Sequence, residues 1–158
     1  MSHARILFIC HGNICRSAAA EVVMNRLIGE AGVDGVRAES AAATREEIGN
    51  DIYPPMKRAL LARGYACPRH AARQTVRADY AAYDYIIGMD GENMADMRYI
   101  YGGDPRGKLS RLLDWAGENG ADIPDPWYTR DFEGALSAIE RGCRGLLEAL
   151  KNAREMKK

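Results

Sequence analysis

The sequence has no long hydrophobic run and no excess of charge of either sign. No stretch approaches the ~18 consecutive apolar residues that indicate a membrane-spanning helix, and the apolar run at residues 5–9 is too short for the core of a signal peptide. Lysine plus arginine and aspartate plus glutamate both number 22, so the net charge is zero. The composition therefore favours neither nucleic acid nor a membrane as a partner, and we expect a cytoplasmic protein.

Cysteine is also scarce, with four residues at Cys10, Cys15, Cys67 and Cys143. In a reducing compartment these are expected to be free thiols, so their interest is chemical rather than structural. A chain of 158 residues can bury a sufficient core without disulfides or a structural metal. The histidines and carboxylates show no convincing ligand spacing, so we expect no metal and no cofactor. We expect one domain spanning residues 1–158.

Hydrophobic periodicity predicts strands that alternate with helices. Short β-branched and aromatic runs predict buried strands at residues 5–9, 36–38 and 83–89. Apolar stripes predict helices at residues 17–31, 54–63 and 131–153, with another helix beginning after Asp90. Residues 108–113 fit either a fourth strand or a helical turn. This alternation predicts a three-layer α/β/α fold around a central, mostly parallel four-stranded sheet.

Two helices have apolar faces that can be predicted residue by residue. The face expected for the first helix consists of Ala19, Val22, Val23, Leu27 and Ala31. The face expected for the last helix consists of Phe132, Leu136, Ile139, Cys143, Leu146, Leu147 and Leu150. We expect Asp131 to cap the start of the last helix and Cys143 to be an inert core thiol.

The segment after the first strand carries the strongest functional signal. It reads Cys10-His11-Gly12-Asn13-Ile14-Cys15-Arg16-Ser17. In parallel sheets, ligands bind beyond the carboxyl ends of the strands. A loop of this length can turn successive backbone N–H groups toward one anion, and the start of the next helix adds further donors and a positive dipole end. We therefore predict a phosphate-binding loop at residues 11–17.

The side chains of this loop suggest nucleophilic chemistry at a bound phosphate. Gly12 and Asn13 tolerate the left-handed conformations that such a loop needs. Arg16 can donate a bidentate pair of hydrogen bonds to two phosphate oxygens. Cys10 would lie at the centre, with its thiolate stabilised by the loop dipoles and the Ser17 hydroxyl. We predict that Cys10 is a nucleophile; the alternatives are a buried core thiol or a non-catalytic anion site.

The same spacing occurs a second time, from Cys67 to Arg73. There, Pro68 removes a backbone donor, no glycine is present, and Gln74 stands where a hydroxyl is needed. We therefore predict no catalytic role for Cys67.

The chain resembles the low-molecular-weight protein tyrosine phosphatases, whose loop reads Cys-x-Gly-Asn-x-Cys-Arg-Ser. The resemblance covers nearly the whole chain and also includes Asp84-Tyr-Ile-Ile-Gly-Met-Asp90 with Asn93, His70-Ala-Ala-Arg-Gln74 and Asp125-Pro126-Trp127-Tyr128. The family usually has proline after the loop serine, where this chain has Ala18. The resemblance implies hydrolysis of aryl phosphomonoesters through a cysteinyl-phosphate intermediate, without metal.

Such a reaction needs an acid, because a phenolate is a poor leaving group. Two Asp-Pro pairs could supply it, at Asp104 and at Asp125. Asp125 is the better candidate because Trp127 and Tyr128 follow it and could wall an aromatic slot, and the family places its general acid at this motif. We interpret Asp104 as a turn residue.

The resemblance also implies a substrate slot and a supporting network. The slot would contain Ile14, Trp127 and Tyr128, with Glu46 at the position where relatives often have an aromatic side chain. The network would join Asn13, Ser17, Ser40 and His70 by hydrogen bonds, although His70 read alone is more often structural. The second loop cysteine, Cys15, would form a reversible disulfide with Cys10, unless it is only a small packing residue.

The partners implied are phosphotyrosine-containing proteins or small aryl phosphates, with phosphate, sulfate or vanadate as ligands of the site. Three alternatives remain open. A thioredoxin-coupled arsenate reductase shares the loop, but Cys67 and Cys143 do not look like its relay pair. A protein-arginine phosphatase typically has threonine at the position of Ile14. A non-catalytic phosphopeptide-binding module would have no use for the acid Asp125.

Overall fold

The computed structural model describes residues 3–156, which are built around one four-stranded sheet. Its strands are β1 (Ala4–Cys10), β2 (Val36–Ala42), β3 (Tyr85–Gly88) and β4 (Leu109–Arg111). Their order is β2-β1-β3-β4, and all three neighbouring pairs are parallel. The predicted parallel α/β fold is confirmed.

Within residues 3–156, six α-helices and one 3-10 helix connect and cover the strands. The α-helices are α1 (Arg16–Ala31), α2 (Pro54–Ala62), α3 (Asp79–Ala82), α4 (Gly91–Tyr101), α5 (Pro126–Thr129) and α6 (Phe132–Met156). The undecided segment at residues 108–113 contains both alternatives, because β4 leads directly into the 3-10 helix Leu112–Ala116. The four-residue helices α3 and α5 were not predicted, since one turn is too short to show a helical period.

The alternation of side chains along β1 shows the three layers. Ile6, Phe8 and Cys10 belong to a core cluster with α1, α2 and α6. Leu7 and Ile9 point the other way, into a cluster with α4. Both faces of the sheet are therefore covered, as expected for parallel strands.

The predicted face of α1 was partly wrong. Met24 and Ile28 are buried, whereas Leu27 is only half-buried and Ala31 is exposed. Because α1 packs against both the sheet and α6, its contact face is set by two neighbours, which the stripe in its own sequence does not reveal. For α6, the predicted face is buried except for Phe132 and Leu147, which are half-buried.

The sheet topology determines where a ligand can bind. β1 is central, with β2 on one side and β3 on the other. The carboxyl end of β1 therefore lies where the strand order reverses, which is where ligands bind in open α/β sheets. The loop between β1 and α1 lies at this position. Within residues 3–156, no helix is long and apolar enough to cross a membrane.

Candidate active site

The loop between β1 and α1 turns its backbone N–H groups toward a common point. Asn13 is fully buried and adopts φ +60°, in the left-handed region that the sequence predicted for it. The backbone N–H groups of residues 11–15 donate no hydrogen bond to any part of the chain that the structure describes. Arg16 begins α1, so its N–H also has no acceptor within the helix. A row of free donors beside a helix N-terminus is suited to binding an anion.

The Cys10 sulfur lies at the base of this loop. Its Sγ is 3.0 Å from the Ser17 Oγ and 3.4 Å from the Ser17 backbone nitrogen. The Ser17 Oγ accepts a hydrogen bond of 2.9 Å from Asn13 Nδ2, which leaves its own proton free to point at the sulfur. Two donors from Ser17 therefore face the Cys10 sulfur, and such donors stabilise a thiolate.

Asn13 is held from a distant part of the chain. His70 Nε2 donates to the Asn13 carbonyl oxygen at 2.6 Å. The Arg73 backbone N–H donates to Asn13 Oδ1 at 3.2 Å, which determines which end of the amide faces Ser17. The structure thus brings Asn13, Ser17 and His70 together as the network predicts.

Ser40 does not join this network, so that part of the prediction was wrong. Its hydroxyl donates to Glu21 Oε1 on α1 at 2.6 Å. Ser40 lies on β2 beside Phe8, and the side chain on α1 that faces it supplies a stronger acceptor than the loop amide does.

Arg16 is buried and held by two carboxylates. Its Nη1 donates to Asp90 Oδ2 at 2.7 Å and to the Ile123 carbonyl oxygen at 2.9 Å, while its Nη2 lies 3.4 Å from Asp125 Oδ2. Burial by itself would lower the pKa of this guanidinium, but Cys10, Asp90 and Asp125 together raise it above its ordinary value. Arg16 is therefore a fixed positive charge beside the Cys10 sulfur.

Asp90 is a site residue that the sequence analysis did not assign. It caps α4 by accepting a hydrogen bond of 2.8 Å from the Asn93 backbone, and its second oxygen holds Arg16. Its place at the carboxyl end of β3, beside the loop after β1, is the signal that could have found it.

The two Asp-Pro pairs occupy different surroundings. Asp125 caps α5, accepts from the Trp127 backbone at 3.0 Å, and lines the cavity above Cys10. Asp104 accepts from the Tyr80 hydroxyl at 2.6 Å and from the Lys108 backbone at 2.8 Å, in the turn before β4. Only Asp125 is placed beside Cys10 and Arg16.

A cavity of about 160 Å³ opens above the loop. All four side chains predicted for the slot line it, namely Ile14, Glu46, Trp127 and Tyr128. Trp127 and Tyr128 expose 51% and 81% of their surface, so they stand at the mouth rather than inside the cavity.

Two further residues line this cavity, Glu47 and Tyr53. The Tyr53 backbone N–H donates to the Ile14 carbonyl at 2.7 Å, and its ring centroid lies 5.1 Å from that of Trp127. Glu47 packs over the loop, where a Cβ at Gly12 would lie 3.3 Å from its Cγ. Neither residue lies in a motif, so the sequence offered no signal for them.

Glu46 does not stand alone at the edge of the cavity. It lies 2.8 Å from His11 Nε2, and Glu92 of α4 is 3.9 Å from the other ring nitrogen. One edge of the mouth is therefore formed by a histidine between two carboxylates.

The remaining cysteines differ in their access to this site. Cys15 lines the cavity, and burial, followed by Cys10 and Asp125, raises the pKa of its thiol far above the ordinary value. Cys143 is buried on α6, where burial likewise raises the pKa of its thiol. Residues 3–156 contain no cluster of three or more histidine, cysteine or acidic side chains that could hold a metal.

Comparisons with known proteins point to one family. The family model described as low molecular weight phosphotyrosine protein phosphatase matches residues 5–156. A low molecular weight protein-tyrosine-phosphatase of Bacillus subtilis, YfkJ, is 35% identical over 153 residues, which cover 96% of this chain and 98% of the relative.

Solved structures give the same result. The crystal structure of YfkJ superposes with a TM-score of 0.92 at 34% identity, covering 97% of this chain and 98% of that one. The structure of Vibrio vulnificus Wzb in complex with benzylphosphonate superposes with a TM-score of 0.82 at 25% identity, covering 94% of this chain and 99% of that one.

Proposed function

The chain belongs to the low-molecular-weight phosphotyrosine protein phosphatase family, and we propose that it hydrolyses aryl phosphomonoesters through a cysteinyl-phosphate intermediate. The observation that carries this proposal is the convergence of three groups around one cavity. The Cys10 sulfur lies beneath a loop of free N–H donors, with the Arg16 guanidinium and the Asp125 carboxyl beside it.

In the first step, the Cys10 thiolate attacks phosphorus while Asp125 donates a proton to the departing phenolic oxygen. A phenol has a pKa of about 10, so protonation removes much of the cost of expelling it. The loop N–H groups and Arg16 stabilise the charge on the equatorial oxygens. Because Asp90 and the Ile123 carbonyl hold Nη1, the remaining donors of Arg16 serve the phosphate.

In the second step, the ionised Asp125 accepts a proton from water as that water attacks the phosphorus. The S–P bond breaks, inorganic phosphate leaves, and the Cys10 thiolate is regenerated. Hydrogen bonds from Ser17 to the sulfur make the thiolate a better leaving group in this step.

The favoured substrate is phosphotyrosine rather than phosphoserine. Ile14 and Trp127 line the same cavity as Cys10, and this supports a substrate whose phosphorus is carried down to the sulfur by a long, flat side chain. An aromatic ring between such side chains also gains from stacking and burial. Glu46 would suit a guanidinium, but it already pairs with His11, which favours the phenyl ring over phosphoarginine.

We also propose that Cys10 and Cys15 form a reversible disulfide. Peroxide would convert the Cys10 thiolate to a sulfenic acid, which the Cys15 thiol captures with loss of water. Both side chains line the same cavity. The resulting disulfide protects Cys10 from irreversible oxidation.

One comparison of substrates tests the proposed function. The protein and its Cys10→Ser variant would be assayed with phosphotyrosine, phosphoserine and phosphoarginine peptides, and with arsenate plus thioredoxin. We expect turnover of the phosphotyrosine peptide alone, and only by the parent protein. Turnover by Cys10→Ser would refute the cysteinyl-phosphate mechanism, a preference for phosphoarginine would reassign the substrate, and arsenate reduction would favour the reductase.

A further inference from the structure

A second concavity adjoins the catalytic cavity. It measures about 500 Å³, compared with about 160 Å³ for the cavity above Cys10. Ile14, Glu47 and Tyr53 line both, so these side chains form the boundary between them. The smaller cavity has room for a phosphorylated side chain but not for the polypeptide that carries it. A protein substrate must therefore cross this boundary or another part of the rim.

The far wall of this groove is one face of α2. Pro54, Arg58 and Leu61 follow one another at helical spacing, and all three line the groove and are exposed. The opposite face of α2, with Met56 and Leu60, is buried in the core. Leu61 exposes 52% of its surface, so the groove combines an apolar patch with the charge of Arg58.

In the described part of the chain, two charges in the groove have no partner of opposite sign, namely those of Arg58 and Glu47. Lys57 pairs with Asp51 at 2.9 Å, and Glu47 accepts a hydrogen bond of 2.6 Å from Asn50. Arg58 has no hydrogen bond or ion pair to any residue that the structure describes. The α2 wall of the groove therefore carries an unpaired positive charge at Arg58, while the unpaired Glu47 carboxylate lies at the boundary with the catalytic cavity.

A second cation stands beside the same boundary. Arg130 Nη1 donates to the Tyr53 hydroxyl at 3.3 Å, and no carboxylate among residues 3–156 pairs with it. Across the mouth, His11 is already matched by Glu46 and Glu92. The two cations available to an incoming acidic group, Arg58 and Arg130, therefore lie on the Tyr53 side of the mouth.

From this arrangement, we propose that the groove along α2 binds the part of a phosphoprotein substrate next to its phosphotyrosine, and that Arg58 selects an acidic side chain there. The proposal rests on the proposed function, because the occupant is defined by the phosphotyrosine in the adjoining cavity. The aliphatic part of an aspartate or glutamate would contact Leu61, and its carboxylate would pair with Arg58.

The test uses matched phosphotyrosine peptides whose flanking residues are all Glu, all Gln or all Lys. An exposed ion pair contributes up to ~1 kcal/mol, which corresponds to about a fivefold difference in kcat/KM. We expect the parent protein to prefer the Glu peptide over the Gln peptide by about this factor, and less at high salt. Arg58→Gln should reduce the preference to what Arg130 supplies, and Arg58→Glu should reduce it further.

Two controls separate this proposal from the proposed function. Turnover of p-nitrophenyl phosphate, which does not reach the groove, should be the same in all variants. Arg106→Glu changes the charge equally in the turn before β4, away from α2, and should keep the parent preference. If the parent protein does not hydrolyse p-nitrophenyl phosphate, the proposed function itself is refuted.

Three results would overturn the role of the groove while p-nitrophenyl phosphate is still hydrolysed. The first is a parent protein that does not discriminate among the peptides or turns none of them over. The second is an Arg58→Glu variant with the parent preference. The third is a parent protein that prefers the Lys peptide, which would assign selection to the Glu46 and Glu92 edge.

Discussion

The chain contains the spacing Cys-x5-Arg twice, and the two segments have opposite environments. Cys10 ends a buried strand, and Arg16 begins a helix of 16 residues. Cys67 and Arg73 lie in a stretch without helix or strand. Burial raises the pKa of the Cys67 thiol, and no donor comparable to Ser17 faces its sulfur among the residues that the structure describes. Spacing alone therefore does not make a phosphate site.

The arginines differ in the same way. The Arg16 guanidinium points into the loop, between Asp90 and Asp125. The Arg73 guanidinium turns away to Asp79 at 3.0 Å and to the Tyr83 hydroxyl at 3.3 Å. Yet the second segment supports the first, since His70 and the Arg73 backbone both donate to Asn13. One segment forms the site, and the other holds its shape.

The largest expected difference comes from replacing each cysteine in turn. Cys10→Ser should reduce kcat on the order of 10⁴-fold or more, because the nucleophile is lost, while phosphate or vanadate still binds. Cys67→Ser should leave kcat essentially unchanged. Steady-state turnover of phenyl phosphate and vanadate inhibition measure both.

Arg16→Ala should lose turnover and anion binding together, whereas retained vanadate binding in that variant would contradict its role.

The two Asp-Pro pairs allow a similar comparison with a smaller effect. Asp125→Asn should slow hydrolysis of phenyl phosphate on the order of 10²–10⁴-fold, because the leaving group is no longer protonated. The same variant should slow the hydrolysis of substrates whose leaving group is an acidic phenol much less. Asp104→Asn is the matched control and should leave the dependence on leaving group unchanged. Equal losses across leaving groups in Asp125→Asn would indicate a structural role.

Replacing Cys15 and replacing Cys67 should have different effects on recovery from oxidation. Peroxide should inactivate the parent protein and dithiothreitol should restore it, because Cys15 captures the oxidised Cys10. In Cys15→Ser the inactivation should become largely irreversible, while Cys67→Ser should recover like the parent. Recovered activity and the mass of a peptide linking Cys10 to Cys15 are the measurements. Full recovery of Cys15→Ser would leave Cys15 as a packing residue.

Replacing His70 tests whether the second segment supports the shape of the loop. His70→Ala leaves the Asn13 carbonyl without its donor, and an unsatisfied buried group costs ~1–3 kcal/mol. We expect kcat/KM to fall about tenfold, with weaker inhibition by phosphate, because the loop loses its shape. His70→Gln keeps a donor and should restore part of both. If His70→Ala loses only thermal stability and keeps both constants, His70 does not position the loop.

The smallest effect concerns Asp79, the residue that holds Arg73. Burial alone would raise the pKa of this carboxyl, but hydrogen bonds from Arg73, Thr75 and the Val76 backbone lower it below its ordinary value. A lowered pKa stabilises the folded protein above the unfolded pKa of ~3.9 and loses that contribution as pH falls through the folded value. The free energy of unfolding of Asp79→Asn should therefore depend less on pH in this acidic range, as denaturant titrations would show. An unchanged pH dependence would contradict the assignment.

Local sequence determined the parts of this protein that are continuous along the chain. The parallel α/β order, helix α6 and the loop from Cys10 to Ser17 were predicted because each depends on the residues within it. A strand, a glycine, a left-handed asparagine and a helix start are enough to turn backbone donors toward one point. The family motif added Asp125, which the structure places at the same cavity.

Tertiary structure alone decided how distant segments complete the site. Asp90 reaches Arg16 across 74 residues of sequence, and Tyr53, which directly precedes α2, contacts the Trp127 ring on α5. The Ser40 hydroxyl turned to Glu21 because α1 packs over β2, a choice that its own neighbours in sequence do not encode. Hydrogen bonds and ring contacts form between side chains that lie close in space, and the packing of helices on the sheet determines which side chains those are.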